Sequence, residues 1–261
     1  MSNSFPARYG KWAVVAGASE GLGAAFAAQL AERGMHLVLI ARRSLLLAEL
    51  GERLTAEYGV EVRCLALDLA DPSFAGALAD AVTGLDLGIL IYNAAHVPVG
   101  PFLDAEDDAI ERAVDVNVRG PLLLLRALAP AMCERGRGAV VLMSSLSGLQ
   151  GSPHVSVYAA SKAFNIVLAE GLWYELRAHG VDVAVCCAGA MRTPGYVRSF
   201  DRDVPGMLSP EDAARQALDA LGKGPRLVPG RINRLAAQLM GRLLPRRAAI
   251  RLIARNTKHL T

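Results

Sequence analysis

Trp12-Ala13-Val14-Val15-Ala16-Gly17-Ala18-Ser19-Glu20-Gly21-Leu22-Gly23 is the stretch that decides the fold of this 261-residue chain. Residues 12–16 form a short, uninterrupted apolar run, the pattern of a strand buried inside a sheet. Three glycines follow within seven residues, and the alanine- and leucine-rich stretch 22–33 reads as a helix. Gly17, Gly21 and Gly23 permit a tight turn and close approach of backbone to a pyrophosphate. The helix amino terminus adds free N–H groups and the positive end of its dipole. An ordinary glycine-rich turn has the same letters, but the first strand-to-helix junction of the chain is the place where such a turn binds a nucleotide.

Outward from this junction the alternation repeats. Strands are expected at 36–41, 60–67, 87–92, 139–144, 181–187 and 226–228. Between them lie helical stretches. Ser44 caps one, in which Leu46, Leu47, Leu50 and Leu54 keep helical spacing, and the Asp71-Pro72 pair opens another with proline in its first turn. Further helices are expected at 106–118, 121–134, 156–178 and 210–221. Apolar strands separated by helices imply an α/β fold, a doubly wound parallel sheet of six to seven strands with its site at the strands' carboxyl ends. No repeat or linker divides the body. The expected organisation is one catalytic domain, residues 1–229, and an amphipathic helical extension, residues 230–261.

Composition agrees with a folded enzyme-sized chain. It is 52% hydrophobic and 20% charged, with mean hydropathy +0.29, which excludes disordered and low-complexity classes. The most apolar stretch, 121–133, is broken by Arg126 and Pro130 and falls short of the roughly 20 residues needed to span a bilayer. Residues 1–11 lack the apolar core of a signal peptide. Cys64, Cys133, Cys186 and Cys187 show no metal-ligand spacing and read as reduced thiols of a cytoplasmic protein, with no metal site. The net charge of +3 conceals an asymmetry. Residues 222–261 contain ten Lys and Arg and no Asp or Glu, so residues 1–221 carry −7.

Four further groups carry chemistry. The second strand runs into Ala41-Arg42-Arg43, where a carboxylate would bond both ribose hydroxyls and repel a 2′-phosphate. Arginines stand there instead, and a guanidinium is a planar, multidentate phosphate donor. Arg42, with Arg43 beside it, therefore points to NADP(H), with NAD(H) as the alternative. Tyr158 and Lys162 are four apart on one helical face, and Ser145 precedes Tyr158 by 13 residues. Asn117 stands in Val116-Asn117-Val118-Arg119-Gly120.

Taken together, Gly17-x-x-x-Gly21-x-Gly23, Asn93-Ala94-Ala95, Asn117, Ser145 and Tyr158-x-x-x-Lys162 resemble the short-chain dehydrogenase/reductase family over residues 10–195. Ala16 replaces the threonine usual before the first glycine, Ala95 replaces the glycine of Asn-Ala-Gly, and Ala188 replaces a proline before Gly189. The resemblance implies that Gly17, Ser19, Glu20, Gly21, Leu22 and Gly23 cradle the cofactor. Asp68, followed by Leu69, would meet the adenine, Asn93 and Ala94 the adenosine ribose, Lys162 the nicotinamide ribose, and Gly189 and Thr193 the carboxamide. NADP-preferring relatives often have a basic residue where this chain has Glu20.

Reducing a carbonyl places negative charge on oxygen, which needs a proton and aimed donors. Tyrosine, with an ordinary pKa of about 10, is a poor acid, and an ammonium one turn away is expected to lower it. The resemblance gives Tyr158 the acid/base role, Ser145 the bond to the substrate oxygen, and Asn117 the positioning of a proton-relay water. An isomerase or dehydratase using the same tyrosine, and a non-catalytic dinucleotide sensor, are the alternatives.

The substrate side is weighted towards apolar residues. A lid at 194–208 contains Tyr196 and Phe200, and His96, Leu149 and His154 are expected at the same mouth. This composition suits a small apolar substrate of steroid, lipid or polyketide character. Family members commonly pair through helices, here 106–134 and 156–179, as homodimers or homotetramers. The tail reads as two amphipathic helices divided by Pro245. Ile232, Leu235, Leu239 and Leu243 share a face opposite Arg231, Arg234 and Arg242, and Arg247, Arg251, Arg255 and Lys258 form a second stripe. These faces pack on the body or a partner subunit, or make peripheral contact with an anionic membrane. No motif for specific nucleic-acid binding is present.

Overall fold

A computed structural model describes residues 4–199, 204–242 and 244–257. Its centre is a seven-stranded parallel sheet in the order β3-β2-β1-β4-β5-β6-β7. The strands are β1 (Trp12–Ala16), β2 (His36–Ala41), β3 (Val62–Ala66), β4 (Leu87–Tyr92), β5 (Gly138–Ser145), β6 (Val181–Ala188) and β7 (Arg226–Leu227). Strand order reverses between β1 and β4, so the crossovers after them leave on opposite sides and open a crevice at their carboxyl ends.

The helices are α1 (Phe5–Tyr9), α2 (Gly21–Glu32), α3 (Ser44–Tyr58), α4 (Phe74–Val82), α5 (Asp107–Val114), α6 (Gly120–Glu134), α7 (Ser156–Arg177), α8 (Pro194–Ser199), α9 (Pro210–Asp219), α10 (Arg231–Arg242) and α11 (Arg246–Thr257). They make two cores, one on each face of the sheet. Successive residues of β1 feed them in turn. Ala13 and Val15 pack with Phe26 and Leu30 of α2, Leu50 and Leu54 of α3 and Ala217 of α9. Trp12, Val14 and Ala16 pack with Leu78 of α4, Leu124 and Leu128 of α6 and Ile166 of α7. Apolar side chains at every position of β1 follow from this two-sided burial.

Several boundaries differ from the sequence expectation for identifiable reasons. Ser44 is the first residue of α3, and Arg43 takes the flanking position with no side-chain cap. The Asp71-Pro72 pair forms a turn, in which Asp71 accepts the Ser73 N–H at 2.9 Å, and α4 starts at Phe74. Segments 106–118 and 121–134 form one continuous helical run, because Asp115–Arg119 is a π-turn that joins α5 to α6. Helix α1 was not apparent in the sequence. Arg8 and Tyr9 of α1 donate to Asp182 at 2.8 and 3.0 Å, so α1 fastens the amino-terminal edge of β6. No described helix is long and apolar enough to cross a membrane, and no metal-ligand cluster occurs among the described residues. The tail lies as two helices on either side of Pro245, with Leu243 and Lys258 outside the described residues.

Candidate active site

The carboxyl ends of β1, β2, β4, β5 and β6 surround a cleft of ≈ 500 Å³. Its floor at one end is the turn after β1. Gly17 has φ +82°, and a side chain there would strike the Ala94 backbone at 2.6 Å. Gly23 does not face the cleft. A Cβ at Gly23 would lie 1.9 Å from the Gly17 carbonyl oxygen, so its role is to let α2 close on the turn. Asn93 donates to that same Gly17 carbonyl at 3.0 Å, bracing the turn from β4 while lining the cleft with Ala94. Gly21 and Leu22 complete the cradle at the amino terminus of α2.

The two arginines after β2 are not equivalent. Arg43 pairs with the Glu20 carboxylate at 3.0 Å and donates to the Ser19 hydroxyl at 2.9 Å. Arg42 lines the cleft and makes no hydrogen bond or ion pair among the described residues. The pairing offsets the negative charge of Glu20 at the very place where it would oppose a phosphate, and it leaves Arg42 to face one.

Asp68 and Leu69 form the adjoining wall. Both Asp68 oxygens accept from Arg112 Nη2 of α5, at 2.9 and 2.7 Å, and Oδ1 also accepts the Ala70 N–H. Burial alone would raise the Asp68 carboxyl, but these bonds and the guanidinium charge hold it below the ordinary value. Arg112 itself lines the cleft and went unread in the sequence. It is one arginine on a polar helix, 44 residues from its partner, and no local pattern marks it.

At the other end, Ser145, Tyr158 and Lys162 come together from the end of β5 and the first turns of α7. Tyr158 shares a hydrogen bond with Ser145. Ser145 Oγ also accepts the Ser147 N–H at 3.1 Å, so a short 3₁₀ turn orients it. Lys162 is buried, with Nζ donating to the Met143 carbonyl at 2.9 Å and lying 5.5 Å from the centre of the Tyr158 ring. The expectation that Lys162 would depress the Tyr158 pKa is corrected here. Burial raises the Tyr158 phenol, and Ser145 is the group that opposes the rise. The ammonium addresses the ring face and a carbonyl, and burial pushes Lys162 itself down to about 8.

Asn117 lies behind the cleft wall. It sits in the π-turn, fully buried, and is absent from the cleft wall. Its side chain clamps His96, accepting the His96 N–H at 2.8 Å and donating to the His96 carbonyl at 2.7 Å, with a further bond to Ser161. With those bonds it braces the strand-end loop. Thr193 and Gly189 line the cleft, and Thr193 Oγ1 accepts the Tyr196 N–H at 3.1 Å, capping α8 as well.

Of the substrate-side candidates, His96 reaches the cleft, its imidazole pushed down by burial and by Arg112 and Arg42. Leu149, His154 and Tyr196 do not line it, and Phe200 falls outside the described residues. His154 is the one described non-glycine residue with positive φ, 65°, and its carbonyl accepts the Gly100 N–H at 2.8 Å. It therefore shapes the loop at the mouth.

Comparison with known proteins gives the same picture. The family model described as short chain dehydrogenase matches residues 11–203. A 7beta-hydroxysteroid dehydrogenase of Clostridium sardiniense is 35% identical over 234 residues, 88% of this chain and 90% of that protein. A very-long-chain 3-oxoacyl-CoA reductase of Podospora anserina is 36% identical over 225 residues, 82% of this chain and 65% of that protein. Among solved structures, one from work on 7beta-hydroxysteroid dehydrogenase stereoselectivity superposes with TM-score 0.91 at 29% identity. It covers 96% of this chain and 99% of that one. A short-chain dehydrogenase from Sphingobium yanoikuyae in complex with NADPH gives TM-score 0.79 at 30% identity, covering 89% and 96%. A glycine cradle at the first crossover, a cleft at the reversal of strand order and a serine–tyrosine–lysine cluster opposite the cradle thus recur with the matched sequence, and the chain belongs to the short-chain dehydrogenase family.

Proposed function

We propose that this protein is an NADP(H)-dependent oxidoreductase that interconverts a carbonyl and an alcohol on a hydrophobic substrate of steroid or lipid character. The observation that carries the reading is the single cleft holding Arg42 at one end and Ser145, Tyr158 and Lys162 at the other. The 7beta-hydroxysteroid dehydrogenases, the very-long-chain 3-oxoacyl-CoA reductases and the NADPH complex among the relatives support the substrate and cofactor classes.

The residues present fit the dinucleotide. The Gly17 turn has no room for a side chain, and Arg42 stands unengaged where a 2′-phosphate would need a donor. Gly17, Ser19, Gly21 and Leu22 would hold the pyrophosphate, Asp68 and Leu69 the adenine, Asn93 and Ala94 its ribose, Lys162 the nicotinamide ribose, and Gly189 and Thr193 the carboxamide. When bound, the reduced nicotinamide supplies the hydride. Ser145 donates to the substrate oxygen and fixes it beside the Tyr158 hydroxyl. Tyr158 gives its proton to that oxygen as negative charge gathers there. Burial keeps the phenol protonated until negative charge gathers on the substrate oxygen, and the Ser145 hydrogen bond opposes the rise that makes it a weaker acid. Asn117 acts as a positioning residue, holding His96 and the β4 loop against the cleft.

Residues 1–229 form the catalytic domain on this reading, and 230–261 an extension. A second copy pairs through α5, α6 and α7, where Val114, Leu122, Val167 and Tyr174 are exposed. The four free cysteines support a cytoplasmic location on this reading. Oxidation of NADPH and NADH should be followed with a panel of steroid ketones, 3-oxoacyl thioesters and small charged carbonyls. Tyr158→Phe should lose about 10²- to 10⁴-fold in kcat, the scale of general acid catalysis. Full activity in that variant would remove the mechanism, and a preference for small charged carbonyls would remove the substrate class.

A further inference from the structure

The exposed large apolar side chains fall into two groups. Val114, Leu122, Val167 and Tyr174 lie on α5, α6 and α7. Most of the others stand on loops and helices that follow the strands' carboxyl ends and on the tail. Val99, Phe102 and Leu103 stand on the loop after β4, and Ile232, Leu235 and Leu239 on tail helix α10. Contacts through the loop after β5 tie these two sets together. The β4 loop meets the loop after β5 through the Gly100 N–H and the His154 carbonyl, at 2.8 Å. The same β5 loop holds α11, where Arg246 donates to the Leu149 carbonyl at 3.1 Å and Ile250 lies against Gly151. On the far side, buried Asn233 of α10 donates to the Gly206 carbonyl at 2.9 Å and packs against Gly189 of the cleft wall.

The body does not cover the apolar stripe of α10. At about 100° per residue, Ile232, Leu235 and Leu239 fall within a narrow arc, well removed from Asn233, the side chain that faces the body. Ile232 and Leu235 keep 60% and 59% of their surface. One expectation for the tail, that this face packs on the body, is therefore not met. Beyond the stripe lie Arg231 and Arg234, and on α11 Arg247, Arg251 and Arg255. All five are exposed and make no ion pair among the described residues. Residues 222–261 contain no Asp or Glu to pair them.

We propose that this face docks on an anionic lipid bilayer, with the tail helices in the headgroup layer and the mouth of the cleft opening towards it. Charge complementarity selects the occupant. A lipid surface supplies both an apolar layer for the leucines and phosphates for the arginines. A second copy meeting the same face across a two-fold axis would bring together two extensions, each with eight Lys and Arg and no Asp or Glu over residues 230–261. The separate apolar surface on α5, α6 and α7 leaves a second copy an alternative seat. An apolar substrate could then pass from the bilayer into the cleft without crossing water.

The test uses the full-length protein and flotation with vesicles of phosphatidylcholine containing about 30 mol% phosphatidylglycerol, against phosphatidylcholine alone. Binding should be at least about tenfold stronger to the anionic vesicles at about 0.05 M salt, and should fall steeply by about 0.5 M as screening shortens. Leu235→Glu with Leu239→Glu should abolish it, and Arg231→Gln with Arg234→Gln should weaken it several-fold. Both variants should keep the oligomeric mass measured by light scattering and the turnover of a water-soluble ketone. Equal partition onto neutral and anionic vesicles, or none onto either, overturns the proposal. So does a change of oligomeric mass in the leucine variant, which would make this face a subunit interface. The arginine variant, altered only at exposed sites, keeps the test decisive should the leucine variant fail to fold.

Discussion

Lys162 shows how a single residue can be placed correctly by sequence and still behave unexpectedly. Its spacing from Tyr158 puts both on one face of α7, and that much is legible from the interval of four. Where its ammonium points is decided by β5, whose Met143 carbonyl takes it at 2.9 Å, and strand-end carbonyls leave no mark in a sequence. Burial lowers the Lys162 pKa from 10.5 to about 8 in the folded chain. Between those values the folded state binds fewer protons than the unfolded one, so stability associated with Lys162 rises with pH across that window and is lowest below it. Lys162→Met should therefore stabilise the cofactor-free protein at pH 7 by about 1–3 kcal/mol, after allowing for the lost hydrogen bond. The gain should shrink towards pH 10 while activity is lost throughout. Thermal melts of both proteins across pH 7–10 check it, and a destabilised variant at pH 7 would refute it. Arg42 and Arg43 make the same point. Adjacent and identical in sequence, they divide because Glu20 and Ser19 of the facing turn claim Arg43.

At the scale of elements, the run from α5 to α6 separates the readable from the unreadable. The strands were legible because burial on both faces writes continuous apolar runs, and α2 because glycines precede it. The π-turn was not, since its extra residue looks like any helical turn in a hydropathy pattern. What sustains it comes from distant elements. The Tyr92 hydroxyl at the end of β4 donates to the Val116 carbonyl, and Asn165 of α7 donates to the Asn117 carbonyl at 3.3 Å. A π-turn disturbs the regular i to i+4 ladder, and these side chains satisfy carbonyls within it. Gly120 follows because a side chain there would collide with the Tyr92 hydroxyl. The turn thereby aims Asn117 at His96, while α5 delivers Arg112 to Asp68. Tyr92→Phe should leave the Val116 carbonyl buried and unpaired, costing about 1–3 kcal/mol. For a chain of this size that corresponds to about 2–4 °C in Tm per kcal/mol. Because the turn carries Asn117, turnover should fall in the same variant. An unchanged Tm together with unchanged turnover would show that the turn stands without Tyr92.

Across the whole molecule, the cleft lies on the seam of the sheet. Its walls come from the ends of β1 and β2 on one side of the reversal and β4, β5 and β6 on the other. A site at the strands' carboxyl ends was legible from the alternation of strands and helices, whereas the spatial order that puts it at the reversal leaves no mark in the sequence. The distribution of charge was legible too, as an acidic body and a basic tail, but the attachment of that tail at Asn233 and Arg246 was not, because single polar residues inside an amphipathic helix look like its solvated face. A ligand seated on the seam touches both halves of the sheet at once, so its binding free energy should appear in the unfolding of the entire body. At about 100 times its dissociation constant a ligand adds about 2.7 kcal/mol, which predicts a rise of about 5–10 °C in Tm for NADPH. NADH lacks the phosphate that Arg42 would meet, so the same concentration should raise Tm by less. Arg42→Ala should reduce the NADPH shift to that of NADH and leave the NADH shift unaltered, since Arg43 and its Glu20 partner still hold the turn. Equal shifts from the two cofactors in the unmodified protein would instead locate the binding energy wholly in the glycine cradle and the nicotinamide end, and would withdraw the assignment of Arg42.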